Sequence, residues 1–172
     1  MYIKNGALTY SPSDLSRYSV SPFASWMERR VLEQPEFAEQ GDEADSLMGL
    51  LAEKGDVHEH AILQKMAAEG KTIARIDQSE NKALATIQAM QSGADIIFQA
   101  ALKKDSFAGF ADFLIKVNGA SHLGDYHYEV WDTKLARAVK PYFVIQLCCY
   151  IDMLAEVQQI KAHQFAIVLG NG

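Results

Sequence analysis

The chain has 172 residues, 49% hydrophobic and 22% charged, with 11 glycines and 4 prolines, which excludes a disordered, collagenous or low-complexity protein and predicts a single globular domain. No apolar run approaches the roughly 20 residues that span a bilayer, and the opening "MYIKNGALTYSPSD" lacks a signal peptide's apolar core, so a cytoplasmic protein with no membrane partner is expected. The net charge of −6 argues against holding polyanions through overall charge, so any nucleic-acid site has to be local.

Ser11-Pro12-Ser13-Asp14 predicts a helix start, with Ser11 as N-cap, Pro12 at the first helical position and an acid in the first turn. Ser21-Pro22 repeats the signal for a second helix carrying Phe23, Trp26, Met27 and Arg29-Arg30, and the polar stretch from Gln34 to Asp45 predicts a loop. From about Ala44 to Ala68, Leu47, Leu51, Gly55, Ile62 and Met66 fall on one helical stripe that also holds His58, which sets His58 inward. Its neighbour Glu59 is expected to point elsewhere, and His60 into solvent.

Thr72 to Ile76 predicts a short strand, Ser79 to Gln91 a helix closed by Gly93, and Asp95 to Leu102 another strand. Phe107 to Val117 and Tyr126 to Ala136 predict an antiparallel pair turning at Asn118-Gly119. Pro141 opens a helix to about Val157, and "AHQFAIVLG" predicts a strand suited to a buried sheet. Cys148 and Cys149 are adjacent, which predicts buried free thiols. The order predicts an α/β or α+β fold, a mixed central sheet flanked by helices. An end at Gly170-Asn171-Gly172, directly after a core strand, suggests the N-terminal domain of a longer protein.

In "YHYEVWDTKLA", Asp132 and Lys134 are two apart and share a strand face with Tyr128 and Val130. Pairing with the preceding strand sets Asp112 beside Asp132. Both acids interrupt apolar strands, where an uncompensated charge costs several kcal/mol, and Mg²⁺ or Mn²⁺ held by Asp112, Asp132 and the inward His58 is the expected compensation. With Lys134 beside it, that constellation suits phosphodiester hydrolysis, a reaction needing acceleration of about 10¹⁵-fold or more. Taken alone, Asp132 and Lys134 also read as a surface ion pair. On the helix after Pro141, Gln146 and Tyr150 form a polar stripe beside the core. Lys134, Arg137 and Lys140 flank the expected metal, and Arg29, Arg30, Lys103 and Lys104 are candidates for an approach.

Several strings together resemble the RecB-like branch of the PD-(D/E)xK nucleases. They are "SPSDL", "GDVHEH" with Gly55-x-x-His58, "GFADF" with Asp112, "EVWDTKLA" with Asp132-x-Lys134, and "QLCCY" with Gln146-x-x-x-Tyr150. The likeness covers almost the whole chain, as one domain over 1–172, and is closest to a RecB-family nuclease subgroup related to CRISPR-associated exonucleases. It implies a restriction-endonuclease-like sheet with His58, Asp112 and Asp132 as metal ligands, the Thr133 carbonyl completing the shell and Lys134 as catalytic lysine. Gln146 and Tyr150 would position the strand, with Arg137 and Lys140 nearby. It implies a deoxyribonuclease, often an exonuclease, acting on single-stranded or free-ended DNA in repair, recombination or defence, with helicase or other domains beyond Gly172 as partners. Many relatives hold an iron-sulfur cluster through four cysteines; with two cysteines in all, no such cluster is expected here. Two other readings stand beside the enzyme: a noncatalytic nucleic-acid-binding module of a helicase or repair assembly, and a hydrolase of small phosphorylated molecules.

Overall fold

The computed structural model describes residues 1–40 and 46–170. It opens on a hairpin that the sequence reading did not anticipate, β1 (Tyr2–Lys4) against β2 (Ala7–Thr9). Asn5 and Gly6 form its turn at φ 51° and 76°, the left-handed pair such two-residue turns require.

Helix α1 (Pro12–Val20) starts where the caps predict. The Ser11 N–H and hydroxyl both donate to Asp14 Oδ2, at 2.7 and 2.9 Å, and the buried carboxylate also meets the Met1 amine at 2.7 Å. Burial alone would raise the Asp14 pKa, but hydrogen bonds from the Met1 amine and from Ser11 outweigh it and hold the group below its ordinary value. A depressed carboxyl contributes stability that is complete above its unfolded pKa and lost as pH falls through the folded one. Asp14→Ala is therefore expected to cost about 2 kcal/mol at pH 7, a difference that shrinks toward pH 2 in urea titrations.

Helix α2 (Pro22–Glu33) is capped by Ser21, whose hydroxyl accepts the Ala24 N–H. Pro35–Gln40 forms a 3₁₀ segment within the stretch expected to be loop. The remainder of that stretch, and the expected helix start at Ala44, lie outside the described residues. Helix α3 (Ser46–Ala68) follows. The side chain of Leu47 is likewise outside the description, and Leu51 is exposed rather than inward; the stripe that reaches the core is Ile62 and Leu63, with Met66 beside them.

Next come β3 (Ile73–Arg75), α4 (Lys82–Ser92) between its Asn81 cap and a left-handed Gly93, β4 (Ile96–Lys104), β5 (Phe107–Ser121), β6 (Gly124–Lys134), α5 (Pro141–Gln158) and β7 (Phe165–Leu169). The five strands lie in the order β3-β4-β5-β6-β7. The outer pairs are parallel and the inner ones antiparallel, so the fold is the expected mixed sheet with flanking helices. Alternation divides the core between two faces. Ile97, Leu114, Tyr128 and Val130 pack with Met90 of α4 and Leu147 and Leu154 of α5, while Ile96, Phe98 and Phe113 pack under Ile62 and Leu63 of α3.

Three expectations change. Asn118-Gly119 is not the turn: the ladder continues to Ser121 opposite Gly124, and Gly119 is needed because a Cβ there would sit 2.8 Å from the His127 ring. β7 is an edge strand whose five residues are half-buried, not a buried one. The cysteines are free, but Cys148 is exposed because the face of α5 opposite Leu147 and Ile151 turns to solvent. Residues 171 and 172 of the expected domain boundary lie outside the description. Among the described residues no helix is long and apolar enough to cross a membrane.

Beyond the reach of β7, which begins pairing at Val130, the backbone of β6 is completed by a side chain. The fully buried Gln158 accepts the Tyr128 N–H at 2.9 Å and donates to the Tyr128 carbonyl at 3.2 Å, as a neighbouring strand would.

Candidate metal and phosphodiester site

The β5–β6 ladder pairs Phe113 with Trp131, and the next step along the same register sets Asp112 opposite Asp132. There the Asp112 carboxylate itself takes the bonds: its Oδ2 accepts the Thr133 N–H at 2.7 Å and the Thr133 hydroxyl at 2.9 Å. Asp132 continues the buried face of Tyr128 and Val130 and is 2% exposed. Lys134, two residues on, places Nζ 2.5 Å from Asp132 Oδ2 and lies 5.5 Å from the centroid of the Phe143 ring. The period of two thus delivers the carboxylate-ammonium pair that the sequence predicted.

Helix α3 crosses the other side. His58 and Glu59 stand one turn before Ile62 and Leu63, so the two-residue stripe that enters the core also carries both polar side chains toward the sheet. Glu59 therefore does not point elsewhere, as expected of a neighbour of His58. It accepts a hydrogen bond from Gln99 Nε2, and its carboxyl is raised to about 7 by burial and then by the Asp112 charge. Gln99 was not singled out either. Its flanking residues pair across β4–β5 as Phe98 with Phe113 and Ala100 with Ala111, which sets it opposite Asp112, and its φ of 55° locally distorts the strand. The signal in the sequence was one amide interrupting the apolar run "IIFQAAL". His60 is exposed, as expected, with its ring edge against Phe98.

Electrostatically the cluster is short of positive charge. Burial raises the Asp112 carboxyl against the opposing pull of Thr133 and Lys134, and burial together with the Asp112 charge raises Asp132 against that of Lys134. Asp112 and Asp132 thus share one ammonium, and Glu59 adds a third acid that feels the Asp112 charge. Tyr150 and Gln146, four apart on α5, are both buried here. The Tyr150 hydroxyl donates to the Phe110 carbonyl at 2.6 Å, and its pKa is raised by burial and then by the charges of Asp112 and Asp132. Gly109 makes room: a Cβ there would meet Pro12 at 2.8 Å and the Tyr150 hydroxyl at 3.2 Å.

The remaining basic residues separate. Arg137 and Lys140 are exposed on the segment after Lys134, and Lys140 lies over the Tyr142 ring at 5.7 Å. Arg29 pairs with Glu33, Arg30 stacks on Trp26 and Phe37, and Lys104 pairs with Glu156, so these three do not form the approach that was expected. Lys103 alone of that set faces an open groove.

Among the described residues, no three His, Cys, Asp or Glu side chains are drawn together as a metal cluster. The chemistry of the donors nevertheless fits a hard divalent ion. Two buried side-chain atoms among the described residues lack a hydrogen-bond partner, and they are His58 Nε2 and Asp132 Oδ2, both from the expected ligand set. Asp132 Oδ2 touches Lys134 as a charge without hydrogen-bond alignment. A buried imidazole nitrogen without a partner, and two adjacent buried carboxylates that share one ammonium, are donor types that suit a divalent cation. No protein-family model matches the chain and no curated protein matches it in sequence.

Proposed function

We propose that the protein is a Mg²⁺- or Mn²⁺-dependent nuclease of the RecB-like PD-(D/E)xK type, cleaving phosphodiester bonds in DNA. The observation that carries this reading is the buried acid pair of Asp112 and Asp132 on adjacent strands with the Lys134 ammonium 2.5 Å from Asp132 Oδ2; the buried, unpartnered His58 Nε2 on α3 adds a free donor. His58, Asp112 and Asp132, with the Thr133 carbonyl, would hold the ion. When bound, such an ion supplies Lewis-acid polarisation of the phosphoryl oxygen and a hydroxide-like water near neutral pH.

The chain's own residues do the rest. Thr133 fixes the rotation of Asp112 through two hydrogen bonds, so that the free oxygen Oδ1 keeps one direction. Asp132 holds the Lys134 ammonium in a partly enclosed position, where it can orient a water and stabilise charge that grows on the phosphate in the transition state. Gln146 and Tyr150 form a buried polar edge at the same carboxylates and would steady the scissile strand. Glu59, whose carboxyl is raised to about 7, stands on the α3 side as a further acid in reach of the site.

The test is incubation of end-labelled single-stranded and duplex oligodeoxynucleotides with the 172-residue chain. Shortened products with Mn²⁺ or Mg²⁺, abolished by EDTA, are expected. Metal-dependent binding without any cleavage would favour the noncatalytic module, and cleavage of nucleotides in preference to oligonucleotides would favour a small-molecule phosphohydrolase.

A further inference from the structure

A groove of about 850 Å³ lies between the β1–β2 hairpin, the N-terminal turn of α4 and the β4–β5 hairpin, and Tyr150 is part of its lining. Three lysines line it from separate elements: Lys4 on β1, Lys82 on α4 and Lys103 on β4. None of them has a carboxylate partner among the described residues, whereas Lys71, Lys104, Lys116, Lys134 and Lys161 are all paired. Against them the groove carries one acid, Glu80. Lys54, Lys65 and Lys140 also lack a carboxylate partner among the described residues but lie apart from the groove; within it, three unpaired ammonium groups of a chain of net charge −6 face one acid, and like charges repel unless an anion joins them.

The same groove holds two aromatic rings open to solvent, Tyr2 at 42% and Phe110 at 46% exposure, with Lys82 Nζ 5.0 Å from the Phe110 ring. Rings in a basic groove offer stacking surfaces that a base-paired duplex, with its bases already stacked, cannot use. The groove also leads somewhere. Tyr150 bonds the Phe110 carbonyl at 2.6 Å, and Asp112 lies two residues further along β5, about 7 Å at the rise of a strand.

We infer that this groove is the path of an unpaired nucleic-acid strand, with Lys4, Lys82 and Lys103 on its phosphates, Tyr2 and Phe110 stacked on its bases, and Tyr150 marking entry to the cleavage site. The inference rests on the nuclease reading for its direction, but its test does not need turnover. Anisotropy of a labelled 12-nucleotide single strand is measured in EDTA with the Asp132→Asn protein. Charge reversal of all three lysines to glutamate is expected to weaken binding by tenfold or more and to flatten the dependence of log K on log salt by about 2. Tyr2→Ala or Phe110→Ala is expected to weaken it by about tenfold for the single strand and little for duplex. The paired Lys71→Glu and Lys161→Glu set the size of a generic charge effect, and thermal melting confirms that each variant is folded; Lys→Ala at the three positions replaces any that is not. Loss in the controls equal to that in the groove variants, or undiminished binding by a folded groove variant, overturns the path. Wild-type protein that binds through the groove yet never cleaves overturns the nuclease reading and leaves the groove standing.

Discussion

Lys134→Met is expected to lower kcat for oligonucleotide cleavage by roughly 10²- to 10³-fold, the loss seen when one preorganised electrostatic donor is removed from a transition state. The substitution keeps an unbranched apolar stem of similar length and deletes the charge, with the ammonium's place over the Phe143 ring. KM should move little, because the ammonium sits against Asp132 at the floor of the site rather than along the strand. Lys134→Arg separates charge from geometry. It restores a cation for Asp132, hence the melting temperature, but its planar fork cannot reproduce a compact point donor, so the rate stays low. A Lys134→Met enzyme within threefold of wild type would remove the lysine from the chemistry.

Manganese is expected to raise the melting temperature of the wild-type chain by roughly 5–10 °C at a hundredfold excess over its Kd: that excess contributes about 2.7 kcal/mol, and each kcal/mol moves a domain of this size by about 2–4 °C. The stabilisation comes from compensating Asp112 and Asp132, which share one ammonium, and from giving His58 Nε2 a partner. Asp132→Asn should abolish the shift. In the absence of the ion this variant should melt close to wild type, since a neutral amide replaces a buried charge repelled by Asp112 while giving up Lys134. His58→Ala should reduce the shift without touching the Asp132-Lys134 pair. Equal shifts in wild type and Asp132→Asn would place the ion elsewhere on the molecule.

Much of this site could be read before the fold was known, for reasons that differ by residue. Asp132 and Lys134 were legible because a strand's period of two is rigid, and Asp112 because an acid within "GFADFL" needs a partner and the adjacent strand holds one. The α1 and α4 ends were legible because Ser11, Pro12, Asp14 and Gly93 act on their own backbone. Glu59 and Gln99 were not. Whether a helix turns one residue or two toward a sheet is decided by what packs beneath it, here the pair Ile62 and Leu63 against Phe98 and Phe113. Two Asn-Gly pairs gave opposite lessons: Asn5-Gly6 makes a hairpin turn between strands too short to show alternation, while Gly119 serves close approach to His127 inside a strand. The groove lysines come from positions 4, 82 and 103, and only the tertiary fold brings them to one surface.

The contact of Gln158 with Tyr128 sets how these parts can move. It ties the last turn of α5 to the strand that presents Asp132 and Lys134 four and six residues later, while Tyr150 ties the middle of that helix to β5 beside Asp112. Two struts, about 12 Å apart along the helix at 1.5 Å per residue, lock α5 and both acid-bearing strands into one frame. A substrate drawn past Tyr150 would thus meet a fixed spacing between its steadying contacts and its point of scission.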